Sequence, residues 1–340
     1  MYNIFRNIAF AMDAERAHHL SFKVAHKAHA LGLMPKARIP ATPFELMGLT
    51  FPNRVGLAAG LDKNGEHIDV LANMGFGFIE IGTVTPRPQD GNPKPRMFSI
   101  PEKQAIINRM GFNNLGVATL LKNVARSQFV QNGGILGINI GKNATTPIER
   151  ATEDYLSALS DVYAHASYIT VNISSPNTKN LRDLQAQDAL DELLSALKNR
   201  QSELANTHGR YVPMTLKIAP DLDESQIQSI ADLLKLHQFD AVIATNTTLD
   251  KTVTQAYKHG NEAGGLSGAP VREKSTQVLH ALNRLLNGEV PIIGVGGIMS
   301  GKDAQAKIDA GASLVQVYTG LIYQGPDLVK DCAQALARSR

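Results

Sequence analysis

The sequence predicts an α/β protein, a (β/α)8 TIM barrel that carries an amphipathic extension of two helices at its N-terminus. Three observations lead to this prediction. Eight short apolar segments follow one another from residue 54 onward, helical stretches separate them, and each segment ends in glycine or a polar residue. Segments that are apolar throughout are typical of parallel strands covered on both faces. Eight such strands alternating with helices indicate a closed barrel.

The chain of 340 residues is long enough for one barrel of this kind. The predicted strands span residues 54–58, 78–82, 134–140, 168–173, 213–218, 241–245, 291–295 and 313–318. Active sites of such barrels lie at the carboxyl ends of the strands, where the connecting loops meet. We therefore expect the functional groups of this chain at those ends.

Composition and charge exclude or disfavour several classes of protein. The single cysteine, Cys332, excludes an internal disulfide, and we expect it to fill the core from the last amphipathic helix. Residues 1–38 carry a net charge of +4 whereas the whole chain carries +3, so the basic character belongs to the N-terminal segment. Because residues 39–340 together carry a net charge of −1, this distribution disfavours nucleic acid binding by that part of the chain. No run approaches the roughly 20 apolar residues that span a bilayer, and the N-terminus is a poor signal peptide.

The N-terminal segment 1–38 is predicted to form an arm separate from a barrel over residues 39–340. Apolar residues recur at helical spacing before and after Asp13, where we expect the second helix to start. The first series is Ile4, Phe5, Ile8 and Met12. Short amphipathic helices with basic polar faces can lie in a membrane interface. The alternative is that both helices only pack on the barrel, but the local positive charge favours the membrane surface.

Residues at the strand ends indicate one lined cleft. In chain order these ends carry Ala59, Gly60, Lys63, Thr83, Asn139, Asn172, Ser175, Lys217, Asn246, Gly296, Gly297, Tyr318 and Thr319. Turns and helix caps explain any one of these residues, but all eight ends together favour a cleft. Two connections, 83–112 and 247–270, are longer than ordinary barrel loops, and such long loops are more often functional than idle. The first, which is rich in proline, is typical of a hairpin or lid.

A glycine-rich segment, 294–297, follows the seventh strand and leads into a helix. Backbone N–H groups at a helix start bind phosphate, and glycine lets the phosphate approach closely. Barrels commonly build a phosphate site from the loops after strands seven and eight. The spacing does not match the dinucleotide fingerprint. We therefore predict a bound phosphate group, with a plain tight turn as the alternative.

Two lysines and four asparagines are further candidates. Lys63 and Lys217 follow apolar strands, where a lysine can neutralise an anion, form a Schiff base or pair with a carboxylate. The sequence alone does not choose among these roles. Asparagine offers a donor and an acceptor side by side, which matches the edge of an amide or a pyrimidine ring. The four asparagines at strand ends or on loops are Asn108, Asn172, Asn177 and Asn246.

Nine motifs relate the chain to a known family. They are AAGLDK at 58–63, EIGT at 80–83, NRMGF at 108–112, NIGK at 139–142, VNISSPNT at 171–178, KIAP at 217–220, TNT at 245–247, GVGGI at 294–298 and VYTG at 317–320. Several of them are long and uninterrupted, which chance does not explain. With these motifs the chain resembles the class 2, quinone-linked dihydroorotate dehydrogenases over essentially its full length.

The resemblance implies an FMN cofactor, the substrate dihydroorotate and no metal ion. The cofactor positions implied by it are Ala59, Gly60, Leu61, Asp62, Lys63, Thr83, Asn139, Asn172, Lys217, Thr245, Gly268, Gly297, Tyr318 and Thr319. The substrate positions implied by it are Lys63, Asn108, Arg109, Met110, Gly111, Phe112, Asn172, Asn177, Asn246 and Thr247. In this arrangement Lys217 faces the pyrimidine edge of the flavin, where a cation stabilises the reduced anionic ring.

The resemblance also gives Ser175 a role. No histidine or acidic residue lies close to it in sequence, so the residues alone do not support an activated nucleophile. Class 2 members use serine as the base that removes the C5 proton of dihydroorotate while a hydride leaves C6 for the flavin, and Ser175 matches that position. Because a serine hydroxyl is a weak base at neutral pH, we hypothesise a relay through water or Thr178.

The arm matches the helices with which class 2 members meet the membrane and admit a quinone. The resemblance implies ubiquinone as the second substrate and a route lined by His18 and Tyr318. It also implies a monomer held peripherally at the cytoplasmic face of the inner membrane. Two residues depart from the family pattern: Ala14 replaces a common proline, and Ser99 stands where many relatives carry an arginine near the quinone.

Three alternatives remain open on the sequence. A barrel lyase would use Lys217 as a Schiff-base former and the glycine-rich segment for a sugar phosphate. A class 1 enzyme would use fumarate or NAD, which Ser175 and the arm disfavour. A membrane-surface binding module on an inactive barrel is disfavoured by the complete set of Lys63, Asn172, Ser175 and Lys217.

Overall fold

The computed structural model describes residues 2, 6, 10, 12–34 and 36–338. The strands of this part are β1 (Phe44–Leu46), β2 (Leu49–Phe51), β3 (Val55–Leu57), β4 (Phe78–Val84), β5 (Met97–Ile100), β6 (Ala105–Asn108), β7 (Leu136–Ile140), β8 (Tyr168–Asn172), β9 (Met214–Ile218), β10 (Ala241–Ala244), β11 (Gly265–Gly268), β12 (Ile292–Val295) and β13 (Leu314–Val317). Strands β3, β4, β7, β8, β9, β10, β12 and β13 close into a parallel barrel in chain order, which confirms the predicted fold class.

Helices follow the barrel strands and surround them. The α-helices are α1 (Ala14–Ala30), α2 (Ile68–Ala72), α3 (Val117–Val124), α4 (Gln128–Gln131), α5 (Ala151–Val162), α6 (Gln187–His208), α7 (Glu224–Leu236), α8 (Arg272–Leu286), α9 (Gly301–Asp309), α10 (Thr319–Gln324) and α11 (Asp327–Ala337). Short 3-10 helices span Pro101–Lys103, Ile148–Arg150, Tyr163–His165, Leu181–Gln185 and Ala269–Val271. Each predicted strand begins and ends within two residues of an observed barrel strand.

The barrel strands are buried along their whole length, as their apolar sequences require. Their register decides which polar groups meet at the carboxyl end. In the pairing of β8 with β9, Val171 lies beside Leu216 and Asn172 beside Lys217. At the opposite end the hairpin of β1 and β2 covers the barrel, and Phe51 packs edge-on against Phe78 at 5.1 Å between ring centroids.

The two long connections form one small antiparallel sheet. The first contributes the hairpin of β5 and β6, and the second contributes β11, which pairs with β6. In this register Gly265 lies beside Asn108 and Gly268 beside Ala105. A Cβ on Gly268 would lie 2.2 Å from the carbonyl oxygen of Gln104, so the two strands approach more closely than another residue would allow.

The second arm helix starts where the sequence predicts. Asp13 caps α1 by accepting a hydrogen bond of 2.9 Å from the backbone N–H of Arg16. The buried ring of Phe22 stacks on His67 of the barrel, with centroids 3.9 Å apart. Among the described residues, no helix has the length and apolar character needed to cross a membrane.

Only part of the first predicted arm helix can be compared. Tyr2, Arg6 and Phe10 have helical backbone, whereas Ile4, Phe5 and Ile8 lie outside the described residues. The Tyr2 hydroxyl donates to the carbonyl oxygen of Ile322 at 2.7 Å, and Arg6 Nη1 donates to that of Tyr323 at 2.8 Å. These contacts join the start of the chain to α10.

Candidate active site

A cleft of about 1030 Å³, its open mouth included, lies at the carboxyl ends of the barrel strands. Most of the residues predicted for the cofactor and the substrate line this main cleft. From the predicted set it is lined by Ala59, Gly60, Lys63, Thr83, Asn108, Met110, Gly111, Phe112, Asn172, Ser175, Asn177, Lys217, Thr245, Asn246, Thr247, Gly268, Gly297, Tyr318 and Thr319. The fold therefore brings these residues together from every part of the barrel.

A buried carboxylate lies beneath the polar side chains of the main cleft. Glu80 is fully buried and accepts hydrogen bonds from Asn139 Nδ2 at 2.8 Å, Tyr168 Oη at 2.9 Å and Gln316 Nε2 at 2.7 Å. A carboxylate can only accept hydrogen bonds. Asn139 must therefore turn its amide nitrogen toward Glu80 and its oxygen toward the cleft residues.

The orientation of Asn139 determines the orientation of the neighbouring side chains through hydrogen bonds. Its Oδ1 accepts hydrogen bonds from Thr83 Oγ1 at 2.6 Å and from Asn172 Nδ2 at 3.2 Å. Asn172 Oδ1 accepts from Ser174 Oγ at 2.9 Å, and Ser174 Oγ accepts from Asn246 Nδ2 at 2.9 Å. Each side chain in this series has its donors and acceptors assigned, so the cleft presents a fixed hydrogen-bonding pattern to a ligand.

Ser175 lies on the wall of the main cleft and is 5% exposed. Its Oγ accepts a hydrogen bond of 3.2 Å from the backbone N–H of Asn177. No histidine or carboxylate in the described part of the chain forms a hydrogen bond with this oxygen. Three residues further on, Thr178 Oγ1 is buried without a hydrogen-bond partner. Within the described part of the chain, neither of these hydroxyls donates its proton to another protein group.

Lys63 is half-buried in the main cleft. Burial lowers its pKa to about 8, the nearby carboxylates of Glu15 and Asp62 raise it, and Arg96 lowers it. A lysine with a pKa of about 8 is still mostly protonated at neutral pH. Lys63 can therefore pair with an anionic ligand.

Lys217 is the second lysine of the main cleft and is 5% exposed. Burial lowers the pKa of Lys217, and the carboxylate of Glu80 opposes this effect by raising the pKa. The register of β8 and β9 places Asn172 directly beside it. An ammonium group next to these amides can stabilise negative charge that develops on a bound ring.

The glycine-rich loop after β12 turns two backbone N–H groups toward the main cleft. The carbonyl oxygen of Gly296 accepts a hydrogen bond from Ser275 Oγ at 3.3 Å, and that of Gly297 accepts one from Arg272 Nε at 2.9 Å. The C=O and N–H of a trans peptide point in opposite directions. The N–H groups of Gly297 and Ile298 therefore point away from α8, toward the cleft that both residues line. This is the arrangement of an anion site.

Only glycine fits in this loop. Gly296 and Gly297 have φ values of +113° and +74°. A Cβ on Gly297 would lie 2.4 Å from the backbone of Arg272, and a Cβ on Gly296 would lie 2.8 Å from Ser275 Oγ. The glycines thus let the loop pack on the first turn of α8 with its N–H groups exposed to the cleft.

A second, mainly apolar cleft of about 990 Å³, its open mouth included, lies between the arm and the barrel. Its apolar lining includes Phe10, Phe22, Leu61, Leu71, Met74, Met97, Ile106, Leu321 and Ile322. His18 and Ser99 also face this arm cleft, and Tyr318 lines both clefts. The Tyr318 ring lies 3.2 Å from the position of a Cβ on Gly60, so glycine lets the ring stand close to the main cleft.

His18 is a neutral imidazole in the arm cleft. Burial lowers its pKa to about 3, and Lys63, His19 and His67 lower it as well. The influence of Lys63 reflects how near the two clefts are to each other. A neutral imidazole offers one donor and one acceptor, which suits a ligand with polar oxygens on an apolar ring.

Four of the residues predicted for the cofactor and the substrate lie outside the lining of the main cleft, and three of these four lie close to one of the two clefts. Leu61 lines the arm cleft instead, and Asn139 lies beneath the main cleft. Asp62 is buried and accepts hydrogen bonds from the N–H groups of Glu66 at 2.9 Å and His67 at 2.7 Å, which shapes the start of α2.

Arg109 is the fourth residue placed away from the main cleft. Its guanidinium pairs with Glu262 at 2.8 Å, donates to the carbonyl oxygen of Pro95 at 2.9 Å and lies 4.6 Å from the ring centre of Phe98. These contacts join the two long connections to each other. Arg109 can therefore support the small sheet, whereas its side chain does not face the cleft.

Gln316 lines the main cleft but was not among the predicted site residues. Its Oε1 is buried without a hydrogen-bond partner, while its Nε2 donates to Glu80. The sequence contains a signal for it, since a glutamine inside the apolar strand β13 needs a polar environment. In the described part of the chain, no group of three or more His, Cys, Asp or Glu side chains could hold a metal ion.

Comparisons with known proteins agree on one family. The family model described as "Dihydroorotate dehydrogenase" matches residues 43–339. A protein of Chromobacterium violaceum named "Dihydroorotate dehydrogenase (quinone)" is 64% identical over 340 residues, which cover 99% of this chain and 98% of that protein. A protein of the same name from Neisseria meningitidis serogroup B is 60% identical over 338 residues, with coverage of 99% and 100%.

Solved structures agree as well. A crystal structure of DHODH from Eimeria tenella in complex with ferulenol has a TM-score of 0.86 and 37% identity, and it covers 94% of this chain and 90% of that chain. The ligand-free structure from the same organism has a TM-score of 0.86, 38% identity and coverage of 93% of each chain. The chain therefore belongs to the dihydroorotate dehydrogenase family, and its similar relatives carry the name of the quinone-dependent class.

Proposed function

We propose that this chain oxidises dihydroorotate to orotate with a bound FMN and passes the electrons to a membrane quinone. This is a reaction of pyrimidine biosynthesis, and it accords with the family and with the names of the similar relatives. The observation that supports the proposal most directly is the set of side chains that line the main cleft. Four asparagines, two lysines and Ser175, a serine that bonds no histidine or carboxylate among the described residues, surround one space beside an anion-binding loop.

The main cleft fits FMN. The loop of Gly296 and Gly297 offers N–H groups for the phosphate, as described above. Gln316 Oε1 is buried, lines the cleft and has no partner, so a ring N–H can satisfy it. Lys217 offers a cation for the pyrimidine edge of the flavin. Bound FMN supplies the acceptor for the hydride that leaves C6 of dihydroorotate.

The opposite side of the main cleft fits a pyrimidine carboxylate. Asn108, Asn172, Asn177 and Asn246 offer paired donors and acceptors for the amide edges of the ring. Lys63 offers a positive charge for the carboxylate, and binding of that anion raises the pKa of the lysine and so keeps it protonated. Thr247 Oγ1 is buried without a partner and can complete this site.

Ser175 takes the proton from C5 of the substrate in this proposal. Its Oγ receives a hydrogen bond from the N–H of Asn177, which holds the oxygen in place and leaves its own proton free to move. The unpaired hydroxyl of Thr178 is the next group that can accept or pass a proton, directly or through water. An isolated serine is a weak base. In the relay, Ser175 passes its own hydroxyl proton to Thr178 or water while its oxygen takes the C5 proton, so no separate serine alkoxide has to form first.

The arm cleft is the proposed quinone site. Its apolar walls suit the ring and isoprenoid tail of a quinone such as ubiquinone, and the neutral His18 can bond a quinone oxygen. Tyr318 lines both clefts, so its ring can contact the flavin on one side and the quinone on the other. Ser99 faces this cleft without adding a charge, so the quinone head group would be held by hydrogen bonds.

The arm is proposed to lie on the membrane surface. Leu20 and Val24, one turn apart on α1, are 49% and 55% exposed, and Leu31 is 72% exposed. Lys23 and Lys27 are exposed on the same helix and can meet anionic lipid headgroups. We propose a peripheral protein at the cytoplasmic face of the inner membrane that acts as a monomer, with residues 1–38 as the arm and 39–340 as the barrel.

A coupled assay tests the proposal. Purified protein is mixed with dihydroorotate and a soluble ubiquinone analogue, and orotate formation and quinone reduction are measured together. We expect equal amounts of both products. The opposite result is no quinone reduction together with covalent trapping of a carbonyl substrate on Lys217 by borohydride, which would favour a lyase.

A further inference from the structure

A residue of the arm and a residue of the barrel form a buried ion pair. Glu15 of α1 and Arg96, just before β5, are each 6% exposed. Arg96 Nη2 donates to Glu15 Oε1 at 2.7 Å, and its Nε donates to Oε2 at 3.2 Å. Lys94 adds a contact of 3.3 Å to Oε1 from a largely exposed position. Removal of one partner from a buried bidentate pair leaves the other charge buried and unpaired, which is costly.

Arg96 also holds a segment that reaches the main cleft. Its Nη1 donates to the carbonyl oxygens of Asp90 at 2.6 Å and Asn92 at 2.9 Å. The side chain of Asn92 donates in turn to the carbonyl oxygen of Asn177 at 3.3 Å. Asn177 lines the main cleft beside Ser175. A continuous series of contacts therefore runs from the arm to the cleft.

The same ion pair also acts electrostatically on Lys63 of the main cleft. The charged groups that act on Lys63 are Glu15 from the arm, Arg96 from the connection after β4 and the adjacent Asp62. Lys63 in turn lowers the pKa of His18 of the arm. Glu15 and Asp62 raise the pKa of Lys63 and Arg96 lowers it, so loss of the Glu15 charge leaves Asp62 as the only one of the two carboxylates that opposes Arg96. Both the position of Asn177 and the charge of Lys63 thus depend on Glu15.

We propose that Glu15 is a positioning residue for dihydroorotate and orotate, which acts on Asn177 through Arg96 and Asn92. The proposal rests on the proposed function, because it takes Asn177 and Lys63 as residues that hold the pyrimidine carboxylate. Docking of the arm then completes the substrate site as well as forming the arm cleft. Deletion of residues 1–38 would impair both sites, so point variants are needed to separate them.

The first measurement is the Kd of orotate, read from the change in flavin absorbance on titration of the full-length flavin-loaded protein. We expect Glu15→Gln to raise this Kd by about tenfold, the size of a typical coupling between two sites. Asp13→Asn removes a carboxylate from the same helix end, and Lys94→Met removes the exposed partner. Both variants leave the two hydrogen bonds between Glu15 and Arg96 in place, and an exposed partner such as Lys94 contributes little, so both should keep the Kd within about twofold.

A second variant tests whether Glu15 acts on Asn177 through Asn92. Asn92→Ala cuts the contact with Asn177, so Glu15→Gln should raise the orotate Kd much less in the Asn92→Ala protein than in the wild type. Two independent effects would instead multiply. A pH series gives a further readout, because Glu15→Gln should move the alkaline fall of orotate affinity to lower pH, whereas Asp13→Asn should leave it in place.

An unchanged orotate Kd in Glu15→Gln would overturn the proposal. So would an equal loss in Asp13→Asn, which would indicate a general effect on α1, or full multiplication of the Glu15→Gln and Asn92→Ala effects. Failure of the proposed function has a different signature: wild-type protein with normal flavin content would show no absorbance change with orotate at all.

Discussion

The side-chain amide of Asn139 donates a hydrogen bond of 2.8 Å to Glu80, a carboxylate that is fully buried beneath the main cleft. This contact sets the direction of the amides above it, because Asn139 Oδ1 must then accept from Thr83 and Asn172. The ligand-facing groups of the cleft therefore depend on a residue that does not line it.

Asn139→Asp tests this relationship. The variant places two carboxylates in contact in a buried site, where one of them must bind a proton. We expect the free energy of unfolding at neutral pH to fall by about 3 kcal/mol, the cost of keeping a carboxyl protonated about two to three pH units above its ordinary pKa. Denaturant unfolding of the protein measures this loss.

The matched control for that variant combines Glu80→Gln with Asn139→Asp. The amide nitrogen of the glutamine introduced at position 80 can donate to the new aspartate, while its amide oxygen still accepts from Tyr168 and Gln316. The double variant should therefore recover most of the lost stability. Equal destabilisation in the single and double variants would refute the assigned direction of the hydrogen bonds.

The charge of Lys63 predicts a pH dependence of orotate binding. Its pKa is lowered by burial to about 8. The lysine is charged below that pH and neutral above it, so affinity should be level near pH 7 and should fall as pH rises through about 8. Binding titrations across this range measure the effect.

Lys63→Gln provides the control for the pH series. A charge-assisted contact contributes roughly 1.5–3 kcal/mol, so we expect binding about 10- to 100-fold weaker and without the alkaline fall. An alkaline fall that persists in this variant would assign the titration to another group.

Membrane contact of the arm predicts an effect of its exposed apolar residues. Leu20→Gln combined with Val24→Gln should lower binding to vesicles of phosphatidylglycerol and phosphatidylethanolamine by about tenfold or more, since burial of one such side chain contributes roughly 1.5–3 kcal/mol. Sedimentation with the vesicles measures the bound fraction. Leu236→Gln is the matched control, because Leu236 is 69% exposed at the end of barrel helix α7. An equal loss in both proteins would exclude a specific role of the arm.

Much of the fold was predictable because barrel strands leave a local signal. Apolar runs such as those of β8 and β9 reflect burial on both faces, so the strand positions and the carboxyl-end cleft followed from them. The pairing of β11 with β6 was not predictable from this signal. It joins segments more than 150 residues apart, and the close approach at Gly268 becomes evident only when both strands are placed.

The site was predictable to a different extent. Motifs indicated the residues that line the main cleft, but they did not distinguish lining residues from supporting ones such as Asn139 and Asp62. Gln316 and the ion pair of Glu15 with Arg96 were not predicted. Their importance arises from burial and partner distance, and neither property follows from spacing along the chain.

The central claim is that Ser175 removes a proton from dihydroorotate in the main cleft as the flavin accepts a hydride. Anaerobic stopped-flow mixing of flavin-loaded protein with dihydroorotate measures the rate of flavin bleaching without any quinone. The wild type should bleach completely, and Ser175→Ala should bleach about 10²- to 10⁴-fold more slowly, as expected for loss of a general base, with orotate affinity and flavin content retained. Bleaching of Ser175→Ala at the wild-type rate at every pH would contradict this account.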